Sequence, residues 1–115
     1  MWVEFPPPRG SAPAGRRPAG VLQHDRFNRS RIQTTVVVAI TSTLKYAELP
    51  GNVVLRKGEA GLPRPSVVNA TQVATIDCSH VTSIIGHLSQ ERLLEIWEGV
   101  RLVIEPAPIS YLHSL

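Results

Sequence analysis

The segment Gln33 to Thr41, QTTVVVAIT, is apolar at five consecutive positions, Val36 to Ile40. A strand with one wet face alternates apolar and polar residues, whereas an unbroken β-branched run belongs to a strand buried on both faces. The chain must therefore wrap other elements around that strand. Val, Ile and Thr supply 28 of the 115 residues, which favours pleated surface over long helices. With only two Phe, two Tyr and two Trp, the core has to be aliphatic. Trp2-Val3-Glu4-Phe5 reads as the end of a short first strand, and Pro6 to Pro18 as a loop. Ala19 to His24 is a second apolar run weakened by Gly20, and Asp25 to Arg31 a polar connection. Leu49-Pro50-Gly51-Asn52 is a turn signal leading into the strand Val53-Val54-Leu55. A loop over Gly58 to Pro65 follows, then one or two strands over Ser66 to Ile76 and another over Val81 to Leu88.

The period then changes. Ser89 can cap a helix whose apolar positions Leu93, Ile96, Trp97, Val100 and Ile104 recur every three or four residues, with Glu91 suiting its positive end. Pro106 and Pro108 end it. The expected architecture is mainly β: five to seven short strands forming a small barrel with one C-terminal helix packed on it. Residues 1–115 make a single domain of ordinary size, with 106–115 as a short tail.

Several function classes drop out. No run approaches the roughly 18 apolar residues of a membrane span, and MWVEFPPPRG lacks the basic and apolar regions of a secretory signal. Cys78 is the only cysteine, so neither an internal disulfide nor a multi-thiolate zinc site is available. A reducing cytosol is the expected compartment. Walker, dinucleotide-binding, Gly-x-Ser-x-Gly and His-Glu-x-x-His motifs are missing, and His24, His80, His87 and His113 are scattered. No metal or cofactor is expected.

The chemistry that remains lies in arginines and small hydroxyls. The formal net charge is +3, and ten of the twelve basic residues are arginine. Six of them, Arg9, Arg16, Arg17, Arg26, Arg29 and Arg31, stand within residues 1–31 against Glu4 and Asp25. Arginine's planar, permanently charged fork suits phosphate, so a polyanionic partner fits this balance. In Gly15-Arg16-Arg17-Pro18 the proline keeps Arg17 extended, so that its guanidinium can project from a strand start. Thr41-Ser42-Thr43 stands where the most apolar strand ends. Those hydroxyls either contact phosphate or satisfy turn backbone groups, and spacing does not choose between the two.

Five blocks resemble a known family in order and over nearly the whole chain, from about Pro7 to Ile104. They are GSAPAGRRPAGVLQHDRFN, VVVAITSTL, ELPGNVVL, AGLPRPSVVNATQVATID and IIGHLSQERLLEIWEGVRLVI. Together they resemble the MazF/PemK/Kid toxins. The resemblance implies an SH3-like β-barrel of the PemK/CcdB type with a C-terminal helix, usually a homodimer. It also implies a metal-independent endoribonuclease, an mRNA interferase, that cuts single-stranded RNA at short motifs. Cleavage would proceed through attack by the ribose 2′-OH, giving 2′,3′-cyclic phosphate and 5′-OH ends. By the same resemblance Arg17, before the proline, and Thr41, in Ile40-Thr41-Ser42, are the catalytic pair. Ser11, Arg16, Ser42 and Gln72 are RNA-binding. The implied partner besides RNA is an antitoxin whose acidic, disordered C-terminal tail folds into the RNA site.

Some positions depart from the family pattern. Relatives usually carry Arg-Gly-[Asp/Glu]-[Ile/Val] before the tryptophan, so the first strand is expected to be clipped here. Gly20 replaces a larger apolar residue, Thr71 an acid found in several relatives, and Ala74 a frequent arginine. These changes bear on RNA sequence preference more than on the reaction. They keep open a copy that folds without catalysing. A gyrase-poison-like toxin of the same barrel is the other alternative, disfavoured by the two prolines in the Glu105 to Leu115 tail.

Overall fold

The computed structural model describes residues 2–5 and 15–105. The loop stretch 6–14, with Ser11, and the tail 106–115 lie outside the described residues. The long apolar run is the strand β3, Thr34–Thr41, and Val37 to Ile40 are all buried. Alternation splits them between two cores. Val38 and Ile40 pack with Leu55, Val68, Ile96 and Val100, whereas Val37 and Ala39 pack with Val3, Ala19 and Ile76. An unbroken apolar sequence is therefore what this strand requires.

Around β3 lie β1 (Trp2–Phe5), β2 (Gly15–Val21), β4 (Val53–Leu55), β5 (Ser66–Asp77) and β6 (Val81–Ser83). The sheet is antiparallel in the order β4-β5-β3-β2-β1-β6. Among the described residues β4 and β6 remain edges, so the expected barrel is open while the mainly β class with a C-terminal helix holds. β2 begins earlier than the sequence suggests. Gly15 to Pro18 pair with β1, and Ala19 to Val21 pair with β3. Pro18, with no N–H to donate, marks the changeover.

The helix α2, Gln90–Ile104, starts as expected, with the Ser89 hydroxyl accepting from the Arg92 N–H at 3.2 Å. Only Ile96, Gly99 and Val100 are buried; Leu93, Trp97 and Ile104 share the period yet stay exposed. Val81 to Leu88 is not one strand. β6 stops at Ser83, because the backbone at Gly86 runs so close to Ala60 that a Cβ on Gly86 would overlap the Ala60 carbonyl oxygen. Two short elements had no clear sequence signal: the one-turn helix α1, Asp25–Asn28, and the 3-10 helix Leu44–Glu48. His24 is an exposed structural residue whose Nδ1 accepts from the Arg26 N–H at 3.0 Å. Among the described residues no helix is long and apolar enough to cross a membrane.

The start of α2 is fastened to the loop after β4. Arg92 Nε donates to Glu59 Oε2 at 2.7 Å and Arg92 Nη2 to Glu59 Oε1 at 3.2 Å. The Arg56 N–H adds a third bond to Glu59 Oε1 at 3.1 Å. The Arg92 hydrogen bonds above all hold the Glu59 carboxyl below its ordinary value of 4.5. A carboxylate depressed in the folded state adds stability that is present above its unfolded value and disappears as pH falls through the folded one. Glu59→Gln should therefore cost about 1 kcal/mol at pH 7. Its denaturant midpoint should converge with that of the unmodified chain once the pH falls well below 4.5. Parallel midpoints from pH 7 to pH 3 would show that the pair contributes nothing.

Candidate active site

The cluster starts from strand register. Val3 of β1 stands opposite Arg17 of β2, which places Arg17 on the sheet face of Val3, Ala19 and the second core. β2 and β3 pair Ala19 opposite Ala39, Gly20 opposite Val38 and Val21 opposite Val37. That pairing covers Ala19 to Val21, and Arg17, two residues before it, pairs with β1. Arg17 is exposed and Thr41 half-buried.

β5 supplies the third member. Thr35 stands opposite Ile76 and Val37 opposite Ala74; Gln72 continues their alternation in burial, half-buried between the exposed Thr71 and Val73, where β5 leaves its register with β3. Arg17, Thr41 and Gln72 thus lie on three neighbouring strands, β2, β3 and β5. Ala19, Ala39 and Ala74 stand beside them. Ala19 and Ala39 are buried in the second core, and Ala74 packs against that core.

Thr41 does what the conservative reading of its position requires. Its Oγ1 accepts from the Thr43 N–H at 3.2 Å and so holds the turn after β3. A hydroxyl has one proton as well as its acceptor pairs, and that contact leaves the proton free to be donated. The turn therefore orients the hydroxyl and does not consume it. Ser42 follows, exposed.

Arg16 is placed differently. It is exposed, stands opposite Glu4 in the β1 register, and alternates to the face away from Arg17. The structure does not bring it into the cluster. The polar connection is also less basic in effect than its sequence, because Arg29 Nη2 is 2.7 Å from Asp25 Oδ2. Cys78 is free and exposed in a short turn after β5, as expected of a bystander. Among the described residues no three His, Cys, Asp or Glu side chains are gathered as a metal site.

A cavity of ≈ 660 Å³ lies between β2 and the segment before α2, lined by Gly20, Thr35, His87 and Leu88 among others. Neither Arg17, Thr41 nor Gln72 lines it. It is mainly apolar, and Gly20 leaves part of it empty: a Cβ there would make only ordinary contacts, 3.5 Å to Val38 and 3.9 Å to Leu88.

Sequence reasoning missed Asn52. The Asn52 amide bonds Asn69 Oδ1 at 3.2 Å and the Ala70 N–H at 2.8 Å, directly before Gln72. Its only sequence signal was membership of a Leu-Pro-Gly-Asn turn, which already accounts for an asparagine.

The family model described as PemK-like, MazF-like toxin of type II toxin–antitoxin system matches residues 1–104. The chain is 39% identical over 104 residues to "Endoribonuclease MazF6" of Mycobacterium tuberculosis, covering 90% of this chain and 91% of that one. It is 34% identical to "Endoribonuclease EndoA" of Bacillus subtilis, covering 88% and 86%. Its fold matches MazF from Deinococcus radiodurans with a TM-score of 0.74 and 26% identity, over 90% of this chain and 89% of that one. It also matches a mycobacterial endoribonuclease solved in complex with its cognate antitoxin, with a TM-score of 0.70 and 18% identity, over 93% and 92%. With its fold, its ordered sequence blocks and nearly its full length matched, the chain belongs to the PemK-like, MazF-like toxins of type II toxin–antitoxin systems.

Proposed function

We propose that this chain is a metal-independent endoribonuclease that cleaves single-stranded RNA, with Arg17 and Thr41 as its catalytic residues. What supports the reading is the family match over residues 1–104, together with the lie of Arg17 and Thr41 on the neighbouring strands β2 and β3. The relatives' names, endoribonuclease in both bacteria, supply the reaction class.

RNA carries its own nucleophile. The ribose 2′-oxygen bonds to the adjacent phosphorus while its proton passes to solvent. The bond from phosphorus to the 5′-oxygen then breaks, and that oxygen takes up a proton. The ends are a 2′,3′-cyclic phosphate and a 5′-OH. Negative charge gathers on the non-bridging oxygens in between, and a guanidinium with a fixed hydroxyl is suited to meet it. Arg17 stays protonated near neutral pH, so it stabilises charge and hydrogen-bonds the departing oxygen; it does not act as the base. Thr41 donates its free proton to a phosphoryl oxygen, with Ser42 beside it. Gln72 offers both an amide donor and an acceptor to a base edge. Ser11 would add a backbone contact that holds the strand without reading it, and Arg16, on the other face, would add longer-range attraction for the polyanion.

The partners follow from the same surface. A cognate antitoxin with an acidic C-terminal tail would compete for the face containing Arg17. A homodimer is the working assembly, and the exposed Trp97 of α2 is an apolar group available to it. The reaction would take place in the cytoplasm, where mRNA is found. The test is incubation with a varied panel of single-stranded RNAs in excess EDTA. Fragments with cyclic-phosphate and 5′-OH ends are the expected result. An intact panel beside a folded protein would overturn the reading in favour of a non-catalytic or gyrase-directed toxin of this fold.

A further inference from the structure

β5 does not keep one register against β3. Val38 stands opposite Val73, but Ile40 stands opposite Val68, so Ala39 alone faces the four residues Asn69 to Gln72. Such a bulge leaves β5 backbone groups that β3 cannot pair, and it bends the strand locally. The missing partners come from the other side. β4 and β5 pair Val53 opposite Val68, so Asn52 arrives beside Asn69 in the same register.

The Asn52 side chain is used at both ends. Oδ1 accepts from the Ala70 N–H at 2.8 Å. Nδ2 donates to the Tyr46 carbonyl at 2.9 Å and to Asn69 Oδ1 at 3.2 Å. Thr71 Oγ1 donates to the same Asn69 oxygen at 3.2 Å. These partners require one amide orientation, with the oxygen toward the N–H and the nitrogen toward two acceptors. Aspartate would set a charge against the Tyr46 and Asn69 oxygens. Alanine would leave the Ala70 N–H without its side-chain acceptor. Asn69, itself buried, is held by Asn52 and Thr71 together.

We infer that Asn52 is a positioning residue for RNA recognition, locking the β5 bulge so that Gln72 meets the substrate at a fixed angle. The inference rests on the reading of this surface as an RNA site. It assigns to a turn asparagine, off the proposed reacting pair, control over where the base-contacting amide points. The effect belongs in substrate affinity and not in the chemical step, because the Asn52 side chain bonds Tyr46, Asn69 and Ala70 and not the proposed reacting pair.

The test is a double-mutant cycle on the full chain with Asn52→Ala, Gln72→Ala and the pair. Each variant is assayed for cleavage of the RNA panel and for binding of the same panel carrying 2′-O-methyl riboses, which cannot be cleaved. Asn52→Ala is expected to raise KM and Kd about tenfold, the worth of one misplaced hydrogen bond, with kcat changed less than about twofold. In the Gln72→Ala background the same substitution should change either constant less than about twofold. Asn52→Asp, which keeps the acceptor toward Ala70, guards against a variant that fails to fold and should show the same dependence on Gln72. Hydrogen exchange at the Ala70 amide should accelerate in Asn52→Ala. Equal rises in both backgrounds, or a fall in kcat that follows the folded fraction, would overturn the positioning role. Absence of both cleavage and binding by the unmodified chain would instead overturn the RNA reading, and the positioning role with it.

Discussion

Arg17→Ala is expected to lower kcat for RNA cleavage by about 10²–10³-fold, the usual loss when a preorganised electrostatic group is removed from a transition state. Binding should change much less. The charge that Arg17 meets gathers mainly as the phosphorus becomes five-coordinate, so the interaction is stronger in the transition state than in the ground state. Stability should hardly move, because Arg17 is exposed. Arg17→Lys discriminates further. Lysine keeps the charge but lacks the planar fork that can span a non-bridging oxygen and the leaving oxygen together, so it should recover only part of the rate. Arg16→Ala is the internal contrast. From the opposite face it should alter salt-dependent affinity and leave kcat alone. Single-turnover kinetics at saturating protein separate these effects. A wild-type rate in Arg17→Ala would remove the residue from the mechanism, and full activity in Arg17→Lys would reduce its role to that of a point charge.

Much of this frame was legible because burial on two faces leaves no room for polar alternation. Val36 to Ile40 had to be the middle of a sheet, and the residues of either parity go to different cores. The helix was legible at its start, where Ser89 caps it, and along Ile96 and Val100. Periodicity could not say where one chain's core ends, and so Leu93, Trp97 and Ile104 follow the pattern but stay at the surface. The strand expected over Val81 to Leu88 failed for a three-dimensional reason: Gly86 is pressed against Ala60, 26 positions earlier by numbering, and no local pattern records that.

The site divides in the same way. Arg17 and Thr41 were named through the resemblance to a family, and their numbering alone never placed them side by side. The sheet order sets their two strands, β2 and β3, next to each other. Spacing left Thr41 open between a turn role and a phosphate role, and the Thr43 bond shows why both readings had force: one oxygen serves the turn and its proton is spare. Asn52 was invisible because a turn asparagine needs no further explanation, whereas its side-chain contacts reach 17 and 18 positions along the chain.

Gly99→Ala should be the most damaging single-methyl substitution in α2, although in an isolated helix it would help. Alanine is favoured over glycine in a helix interior by about 1 kcal/mol. Here a Cβ on Gly99 would overlap the Gly51 carbonyl oxygen and stand 2.9 Å from its carbon and 3.2 Å from its Cα. Those are backbone atoms, so no rotamer change relieves the contact. The reciprocal position is equally closed: Gly51 has a φ of +84°, and a Cβ there would lie 2.8 Å from the Gly99 oxygen. Either the helix lifts off Val68 and Ala70, or the Leu49 to Asn52 turn is displaced. Overpacking of this kind outweighs the helix preference and should leave a net loss of about 2 kcal/mol, seen as a lower denaturant midpoint at unchanged slope. The turn is also where Asn52 begins, so the strain reaches the β5 bulge. KM for RNA should therefore rise in Gly99→Ala by a factor that Gln72→Ala abolishes, at temperatures where the variant is fully folded. A neutral or stabilising outcome would mean that helix and turn do not approach as closely as two facing glycines allow. A stability loss without any change in KM would confine the contact to packing and cut it off from the RNA surface.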